Sequence, residues 1–176
     1  MAPELTDGVV VLSALTLADA PALVAGEDAE LERRLSGGRS TLRTAEEHVR
    51  ARAADWSGDR IRPGATLAWG IRDAVGGELA GTVEVALRFP ELEPGAANVS
   101  YGVFPRWRGR GFGARAVELV CGFLTAETTV HRAVLRIDRD NAASLQVAAR
   151  SGFRASQHLA PPHASMLWFS RELRRT

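Results

Sequence analysis

The residues best suited to binding a ligand lie in a turn over positions 105–114. A strand-like run that starts at Tyr101 breaks at Pro105 and continues as Arg-Trp-Arg-Gly-Arg-Gly-Phe-Gly-Ala. Three of these residues are glycines, Gly109, Gly111 and Gly113. Glycine lets a ligand approach the backbone closely, and it allows the positive φ angles that point successive N–H groups into one concavity. The turn is therefore predicted to bind an anion.

The helix predicted after this turn, roughly Phe112 to Ala126, strengthens the anion site. The unpaired N–H groups of its first turn, including that of Phe112, and the positive end of its dipole would face the same concavity. Arg108 and Arg110 lie within the turn and are favoured as phosphate contacts, whereas Arg106 also fits a solvated surface charge. A pyrophosphate group fits this combination of charges and N–H donors.

Two familiar glycine motifs fit the turn less well. A Walker loop needs a lysine, and all 22 basic residues of this chain are arginine. The segment Gly109–Ala114 does match the Gly-x-Gly-x-x-Gly/Ala pattern of dinucleotide-binding proteins, with Asp138 after the next apolar run. Residues 115–176 are too few for the rest of a doubly wound domain, so an NAD-dependent oxidoreductase is the weaker alternative.

A third pattern, Arg/Gln-x-x-Gly-x-Gly/Ala, is met by residues 108–113 directly after a strand. Here the chain resembles the GCN5-related N-acetyltransferases, the GNAT superfamily. A second motif, Asn141-Ala-Ala-Ser144 followed by Gly152-Phe153, resembles the subgroup of ribosomal-protein alanine N-acetyltransferases (RimJ/RimL-like). The resemblance is specific over about residues 98–153 and general elsewhere.

The resemblance implies an acetyl-CoA-dependent transfer to a primary amine, by direct attack in a ternary complex. It implies that the turn binds the pyrophosphate of acetyl-CoA and that the backbone N–H of Val103, on a splayed strand, polarises the thioester carbonyl. It further implies that Ser144 lies near the sulfur as an acid or orienting group and that Asn141 touches the cosubstrate. The plainer alternative is that Ser144 is an ordinary helix residue and that Asp140 or Asn141 only caps the helix.

The reaction also needs a general base that takes a proton from the attacking amine, and its position is not given by the motifs above. Many members of the family carry a glutamate on the strand before the turn, but residues 98–104 contain no carboxylate, and Asn98 cannot accept a proton. Glu84, on the preceding strand, is the best substitute. Strand alternation puts Glu84 on one face with Thr82 and Ala86, so a solvent-facing position is the competing interpretation. Without a base, the chain would be a non-catalytic acyl-CoA-binding or regulatory module.

The pattern along the chain predicts a mixed α/β fold with a GNAT-like, largely antiparallel central sheet, helices on its flanks and a splayed cofactor-binding strand. Strands are expected at 9–12, 66–72, 79–88, 98–104, 133–137, 153–159 and 165–169. Helices are expected at 17–26, 112–126 and 142–150, and from a capping box at Thr44–Glu47 through Ala54. The helices at 17–26 and 44–54 are expected to frame the substrate entrance.

Composition sets the remaining limits. With 176 residues, 45% of them hydrophobic, the chain is long enough for one domain spanning 1–176. The net charge of +1 suggests neither general nucleic-acid binding nor membrane binding. No signal peptide or long apolar run is found, so a cytoplasmic location is the default. A homodimer through a sheet edge or the C-terminal strand is left open.

Other reactive residue types suggest packing more than chemistry. The lone Cys121 lies on an apolar helix and is expected in the core. No metal is expected, since the histidines at 48, 131, 158 and 163 share no ligand spacing. Trp56 and Trp69 could line an acceptor pocket. The sequence does not choose between a peptide N-terminus and a small amine as the acceptor.

Overall fold

An eight-stranded sheet forms the centre of the computed structural model, which describes residues 2–35, 39–56, 61, 64–160 and 164–174. The order across the sheet is β1-β2-β3-β4-β5-β6-β8-β7. The strands are β1 (Leu5–Thr6), β2 (Val10–Ser13), β3 (Thr66–Asp73), β4 (Leu79–Ala86), β5 (Ala96–Val103), β6 (Arg132–Asp138), β7 (Arg154–Ala155) and β8 (Met166–Glu172). The expected strands are present, and the mixed, largely antiparallel fold class is confirmed.

Five helices cover the sheet within the described residues. They are α1 (Ala20–Gly26), α2 (Ala29–Leu35), α3 (Leu42–Asp55), α4 (Phe112–Glu127) and α5 (Ala142–Arg150). The face of β5 that carries Tyr101 meets α4, because a Cβ on Gly113 would lie 2.9 Å from the Tyr101 ring. The opposite face meets α2, because a Cβ on Gly102 would lie 2.5 Å from Leu35.

The only parallel pair among the described strands is β5 with β6, and it is short. Its register runs from Ala96 with Arg132 to Asn98 with Val134, although β5 continues to Val103 and β6 to Asp138. Beyond Asn98 the two strands separate. The splayed strand expected from the sequence is therefore observed, and the separation opens a cleft in the middle of the sheet. A largely antiparallel sheet also contradicts the doubly wound alternative, which requires parallel strands.

Local chemistry accounts for the helix ends. The side chain of Thr41 caps α3 by accepting from Thr44 N–H at 3.2 Å, and Thr44 Oγ1 accepts from Thr41 N–H at 2.8 Å. The capping box expected at Thr44–Glu47 was therefore placed one turn too late, because Thr44 is the third residue of the helix and not its cap. An Arg43–Glu47 pair at 2.8 Å lies on the first turns of this helix.

The hydrophobic core lies mainly between the sheet and α4. Trp69 is fully buried and makes edge contacts with Trp56 and Phe123, with ring centroids 4.9 and 5.3 Å apart. Its Nε1–H donates to the Pro3 carbonyl at 2.9 Å. The suggestion that Trp69 lines an acceptor pocket is therefore wrong, because its ring is fully buried in the core.

The strand expected over 153–159 is also shorter than predicted. Only Arg154–Ala155 pairs with β8, and a 3₁₀ turn follows at Gln157–Leu159. In this turn Leu159 N–H donates to the Ser156 carbonyl at 2.9 Å, so the chain leaves the strand ladder here.

Candidate active site

The gap between β5 and β6 forms a cleft of about 370 Å³, called here the splay cleft. Backbone and side chains of β5, the glycine turn, the start of α4, β6, α5 and α2 line it. Residues predicted from the sequence meet here from two separate stretches of the chain, 103–113 and 141–144. They are Val103, Arg108, Gly109, Gly111, Phe112, Gly113, Asn141 and Ser144.

Two glycines of the turn have the backbone conformation expected of an anion cradle. Gly109 has φ +76° and Gly111 has φ +80°, and a Cβ built on either would meet no atom within 4 Å. Both glycines thus border open space on the side where a side chain would project. Gly113 differs, because it lies inside α4 and is required by the close approach of Tyr101. The expectation of a positive φ at Gly113 was wrong.

The first turn of α4 adds further donors beside these glycines. Gly111 is the N-cap in a left-handed conformation, and Phe112 is the first residue of the helix. The ring of Phe112 is buried against Trp107 at 5.2 Å between centroids. Only its backbone N–H is therefore suited to meet an anion in the cleft.

The arginines of the turn are placed differently from one another. Arg108 lines the splay cleft, but its guanidinium pairs with Asp28 through contacts of 2.7 and 2.8 Å. Arg110 is not among the lining residues, because its guanidinium stacks over the Trp107 ring at 5.1 Å. Arg106 pairs with Glu78 at 3.0 Å on the surface. A direct phosphate contact thus requires Arg108 to leave Asp28, and Arg110 offers its backbone more readily than its side chain.

The backbone of Val103 turns toward the splay cleft. Phe104 N–H donates to the Ala80 carbonyl on β4 at 2.8 Å, and Thr82 lies opposite Gly102. Since alternate residues of an antiparallel strand direct their backbone groups to opposite sides, Val103 directs both of its groups away from β4. Its carbonyl accepts from Arg108 Nε–H at 3.0 Å, within the same rim.

Ser144 takes part in a small polar network at the floor of the cleft. The Tyr101 hydroxyl lies 3.1 Å from Ser144 Oγ, and Ser144 N–H donates to Asn141 Oδ1 at 3.1 Å. Burial raises the pKa of the Tyr101 phenol and outweighs the lowering effect of its hydrogen bond to Ser144. The phenol therefore stays protonated at neutral pH and can act as the donor, which leaves the Ser144 hydrogen free for another acceptor. Asn141, rather than Asp140, caps α5.

A second cleft of about 530 Å³ adjoins the splay cleft, is lined in part by α1, α2 and α3, and is called here the α3 cleft. Leu23 of α1 and Thr44, Ala45 and His48 of α3 contribute to its wall, as expected for helices that frame an entrance. Three residues of β5, Ser100–Gly102, line both clefts, as do Leu31 and Leu35 of α2. The two clefts therefore meet along the same short piece of splayed strand.

Glu84 lines the α3 cleft and is not the exposed strand residue of the competing interpretation. Its side chain is 25% exposed, and its Oε1 lies 2.8 Å from His48 Nε2. Glu84 is opposite Ser100 in the register of β4 and β5. Sequence reasoning missed His48, because it examined histidine only for metal-ligand spacing and these two residues are far apart in the chain.

Sequence reasoning also missed α2, which crosses the mouth of the splay cleft. Asp28 caps this helix by accepting from Leu31 N–H at 3.0 Å, and it binds Arg108 on one rim. At the other end of α2, Arg34 contacts Asp138 and Asp140, each at 3.0 Å. Ion pairs thus hold α2 to both rims of the cleft. The seven-residue helix had too weak a pattern to be found in the sequence.

Neither a metal nor a membrane is suggested by the described residues. No cluster of three or more histidine, cysteine or acidic side chains suited to a metal occurs in that part of the chain. None of the described helices combines the length and apolar character needed to span a bilayer. His163, considered above with the other histidines, lies outside the described residues.

Several solved structures of acetyltransferases have a fold similar to that of this chain over nearly its whole length. One is RimL, a ribosomal L7/L12 α-N-protein acetyltransferase in complex with coenzyme A, with a TM-score of 0.77 and 18% identity over 97% of this chain and 98% of that one. Another is a ribosomal-protein-S5-alanine acetyltransferase from Vibrio fischeri, with a TM-score of 0.71 and 17% identity over 98% of this chain and 97% of that one. A further one is the microcin C7 self-immunity acetyltransferase MccE in complex with acetyl-CoA and AMP, with a TM-score of 0.73 and 15% identity over 95% of this chain and 93% of that one. No curated protein is similar enough in sequence to be matched.

The sequence itself carries the family pattern over most of its length. The model of the acetyltransferase (GNAT) domain matches residues 10–154, which include the glycine turn, the α3 cleft and every residue that lines the splay cleft except Met166. The NAD-dependent oxidoreductase alternative is thereby corrected, in agreement with the antiparallel sheet. The chain belongs to the GNAT family of acetyltransferases.

Proposed function

We propose that the protein transfers an acetyl group from acetyl-CoA to a primary amine by direct attack, with both substrates bound at once. One observation carries this proposal. Two adjoining clefts are both lined by the same residues of the splayed strand, Ser100–Gly102. One substrate can therefore occupy each cleft, and the reacting groups can meet without a covalent enzyme intermediate.

The splay cleft suits the phosphorylated cosubstrate. Gly109 and Gly111 leave open space beside positive-φ backbone, and α4 begins immediately after them. This arrangement would hold a pyrophosphate through backbone N–H groups of residues 109–113. The side chain of Arg108 would contribute after exchanging Asp28 for phosphate, and Asn141 borders the same cleft from α5.

The same cleft supplies two groups for the chemistry. Val103 directs its backbone N–H into the gap left by β6, where it can polarise a carbonyl oxygen in the manner of an oxyanion hole. Ser144, accepting from Tyr101, can donate its own hydrogen to a sulfur that is gaining negative charge. Tyr101 thus supports Ser144 by orienting its hydroxyl.

The α3 cleft would hold the acceptor amine. Its wall combines apolar side chains with polar ones. The carboxylate of Glu84 is one of the wall groups able to assist removal of a proton from the amine. The similarity to ribosomal-protein acetyltransferases favours a peptide N-terminus as the acceptor, while small primary amines fit the same volume.

Calorimetric titration with acetyl-CoA, with CoA and NADH as parallel ligands, tests the first half of the proposal. Binding of acetyl-CoA without binding of NADH is expected. CoA release is then followed with peptides bearing N-terminal alanine or serine and with a set of small primary amines. Acceptor-dependent CoA release supports the transferase; acetyl-CoA binding without any release would favour the non-catalytic module, and failure to bind acetyl-CoA would overturn the proposal.

A further inference from the structure

His48 and Glu84 form an imidazole–carboxylate pair in the α3 cleft. His48 Nε2 on α3 lies 2.8 Å from Glu84 Oε1 on β4, and their side chains are 41% and 25% exposed. Both residues line the cleft that adjoins the splayed strand at Ser100–Gly102. The imidazole is therefore held near the meeting point of the two clefts while remaining accessible to a ligand.

The other charged side chains of the α3 cleft are differently engaged. Glu27 accepts hydrogen bonds from both Ser40 N–H, at 2.6 Å, and Ser40 Oγ, at 3.0 Å. Arg39 is a permanent cation and cannot accept a proton at ordinary pH. Burial raises the pKa of the Tyr101 phenol, so it stays protonated. Among the described residues of this wall, Glu84 and His48 are thus left to exchange a proton with a bound amine.

The geometry points to His48 as the general base for the acceptor amine, with Glu84 as the residue that positions it. This inference rests on the proposed function and deepens it. Nε2 faces the carboxylate, so Nδ1 is the ring nitrogen left to take a proton. Glu84 then holds the ring in one orientation through its contact with Nε2, in the way a carboxylate orients a catalytic histidine in other enzymes.

In the acetyl transfer, His48 takes the proton that the attacking amine loses. The amine nitrogen forms a bond to the thioester carbonyl carbon with its lone pair, and the carbonyl π electrons move to oxygen. One N–H proton passes to His48 Nδ1. When the carbonyl re-forms, the C–S bond breaks with its electron pair on sulfur, which accepts a hydrogen bond from Ser144 and gains its proton from solvent. His48 returns its proton to water.

The test compares His48→Gln, Glu84→Gln and the double variant. His131→Gln is the control, because His131 also lies beside a glutamate, Glu93 at 4.0 Å, but outside both clefts. Each protein is assayed for CoA release across pH with the fastest amine found in the screen above. Hydrolysis of acetyl-CoA, in which water replaces the amine, is followed in parallel. Thermal melting and acetyl-CoA titration confirm that each variant folds and binds the cosubstrate.

We expect His48→Gln to lower kcat/KM by about 10²-fold or more and to change the acidic side of the pH–rate profile, where only protonation of the amine should then be seen. Because Glu84 acts through His48, Glu84→Gln should cost less, and the double variant should be within about twofold of His48→Gln. The control should match the wild type.

Other outcomes overturn the assignment. An unchanged rate and pH profile in His48→Gln would remove His48 from the reaction, and a larger loss in Glu84→Gln would make Glu84 the direct base. A wild type that binds acetyl-CoA but releases CoA in neither reaction has no step for His48 to catalyse. Failure of the wild type to bind acetyl-CoA would instead overturn the proposed function itself.

Discussion

At the scale of single residues, the Tyr101–Ser144 hydrogen bond decides how a serine hydroxyl can be used. A serine oxygen can accept while its hydrogen donates elsewhere, so a phenol that donates to Ser144 at 3.1 Å directs the serine hydrogen away from itself. Burial keeps that phenol protonated by raising its pKa. The role that the family resemblance implies for Ser144 thus has a physical support that the sequence did not reveal.

Ser144→Ala is expected to lower turnover by about 10²-fold, as for loss of an acid or hydrogen-bond donor in the transition state. Acetyl-CoA affinity should stay close to that of the wild type, because Ser144 N–H still meets the Asn141 cap. Steady-state kinetics and calorimetry measure the two quantities separately. Tyr101→Phe is the companion variant and should show a smaller loss. Undiminished turnover in Ser144→Ala, with chemistry rate-limiting, would make Ser144 structural.

Gly111→Asp tests the anion cradle at a glycine where a side chain would project into open space. Loss of one charge-assisted hydrogen bond, at about 1.5–3 kcal/mol, corresponds to a rise in the acetyl-CoA dissociation constant of about tenfold to a hundredfold. Gly111→Asn is the matched control, since asparagine has the same size and tolerates the positive φ of +80°. A folded Gly111→Asp protein with unchanged affinity would contradict the cradle.

At the scale of elements, α2 is the helix that lines the mouth of the splay cleft and is held to both of its rims. Its cap Asp28 and its residue Arg34 reach opposite rims through ion pairs with Arg108 and Asp138. Leu31 and Leu35 pack toward Gly102, where a Cβ would lie 2.5 Å from Leu35. A seven-residue helix is unstable in isolation, so these tertiary contacts hold it in place.

The Asp28–Arg108 pair should make α2 docking depend on pH in acid. The Arg108 guanidinium lowers the pKa of the Asp28 carboxyl from 3.8 to about 2. Because the pKa is lower in the folded state, the stabilisation is complete above about pH 4 and is lost as the pH falls toward about 2. At near-neutral pH the pair is expected to contribute about 1 kcal/mol or less, since both side chains are about one-third exposed.

Asp28→Asn measures that contribution by denaturant unfolding at several pH values. The difference in unfolding free energy between wild type and variant should be constant near neutrality and shrink toward zero in strong acid. In an Arg108→Gln background, which removes the partner, the difference should be smaller at every pH. A pH-independent difference would show that Asp28 acts only as the cap of α2.

At the scale of the whole molecule, the sheet and α4 enclose the core so completely that the lone thiol is inaccessible. Cys121 is 2% exposed, and burial raises its pKa to about 12. Both edge strands of the described sheet, β1 and β7, have only two residues, which leaves little backbone for edge-to-edge pairing with a second copy.

Because the Cys121 thiol is buried and its pKa is raised, the native protein is expected to react very slowly with a thiol reagent such as Ellman's reagent at mildly alkaline pH. Little of the thiol is ionised at that pH, and the reagent cannot reach its sulfur. The same protein in concentrated guanidinium should label fully at one thiol per chain. Rapid stoichiometric labelling of the native state would contradict the packing of α4. Slow labelling also permits CoA release to be followed with this reagent without interference from the enzyme.

The sequence by itself determined the parts whose physics is local. The glycines and arginines of residues 106–114 indicated an anion-binding turn, and the Asn141–Ser144 spacing indicated a capped helix, because both depend on backbone preferences within a few positions. Strand alternation and turn signals likewise predicted most of the sheet. Only the tertiary structure decided which distant residues meet. The pairing of His48 with Glu84, of Arg108 with Asp28 and of Tyr101 with Ser144 depends on how α3, α2 and α5 pack on the sheet, and no local pattern encodes such contacts.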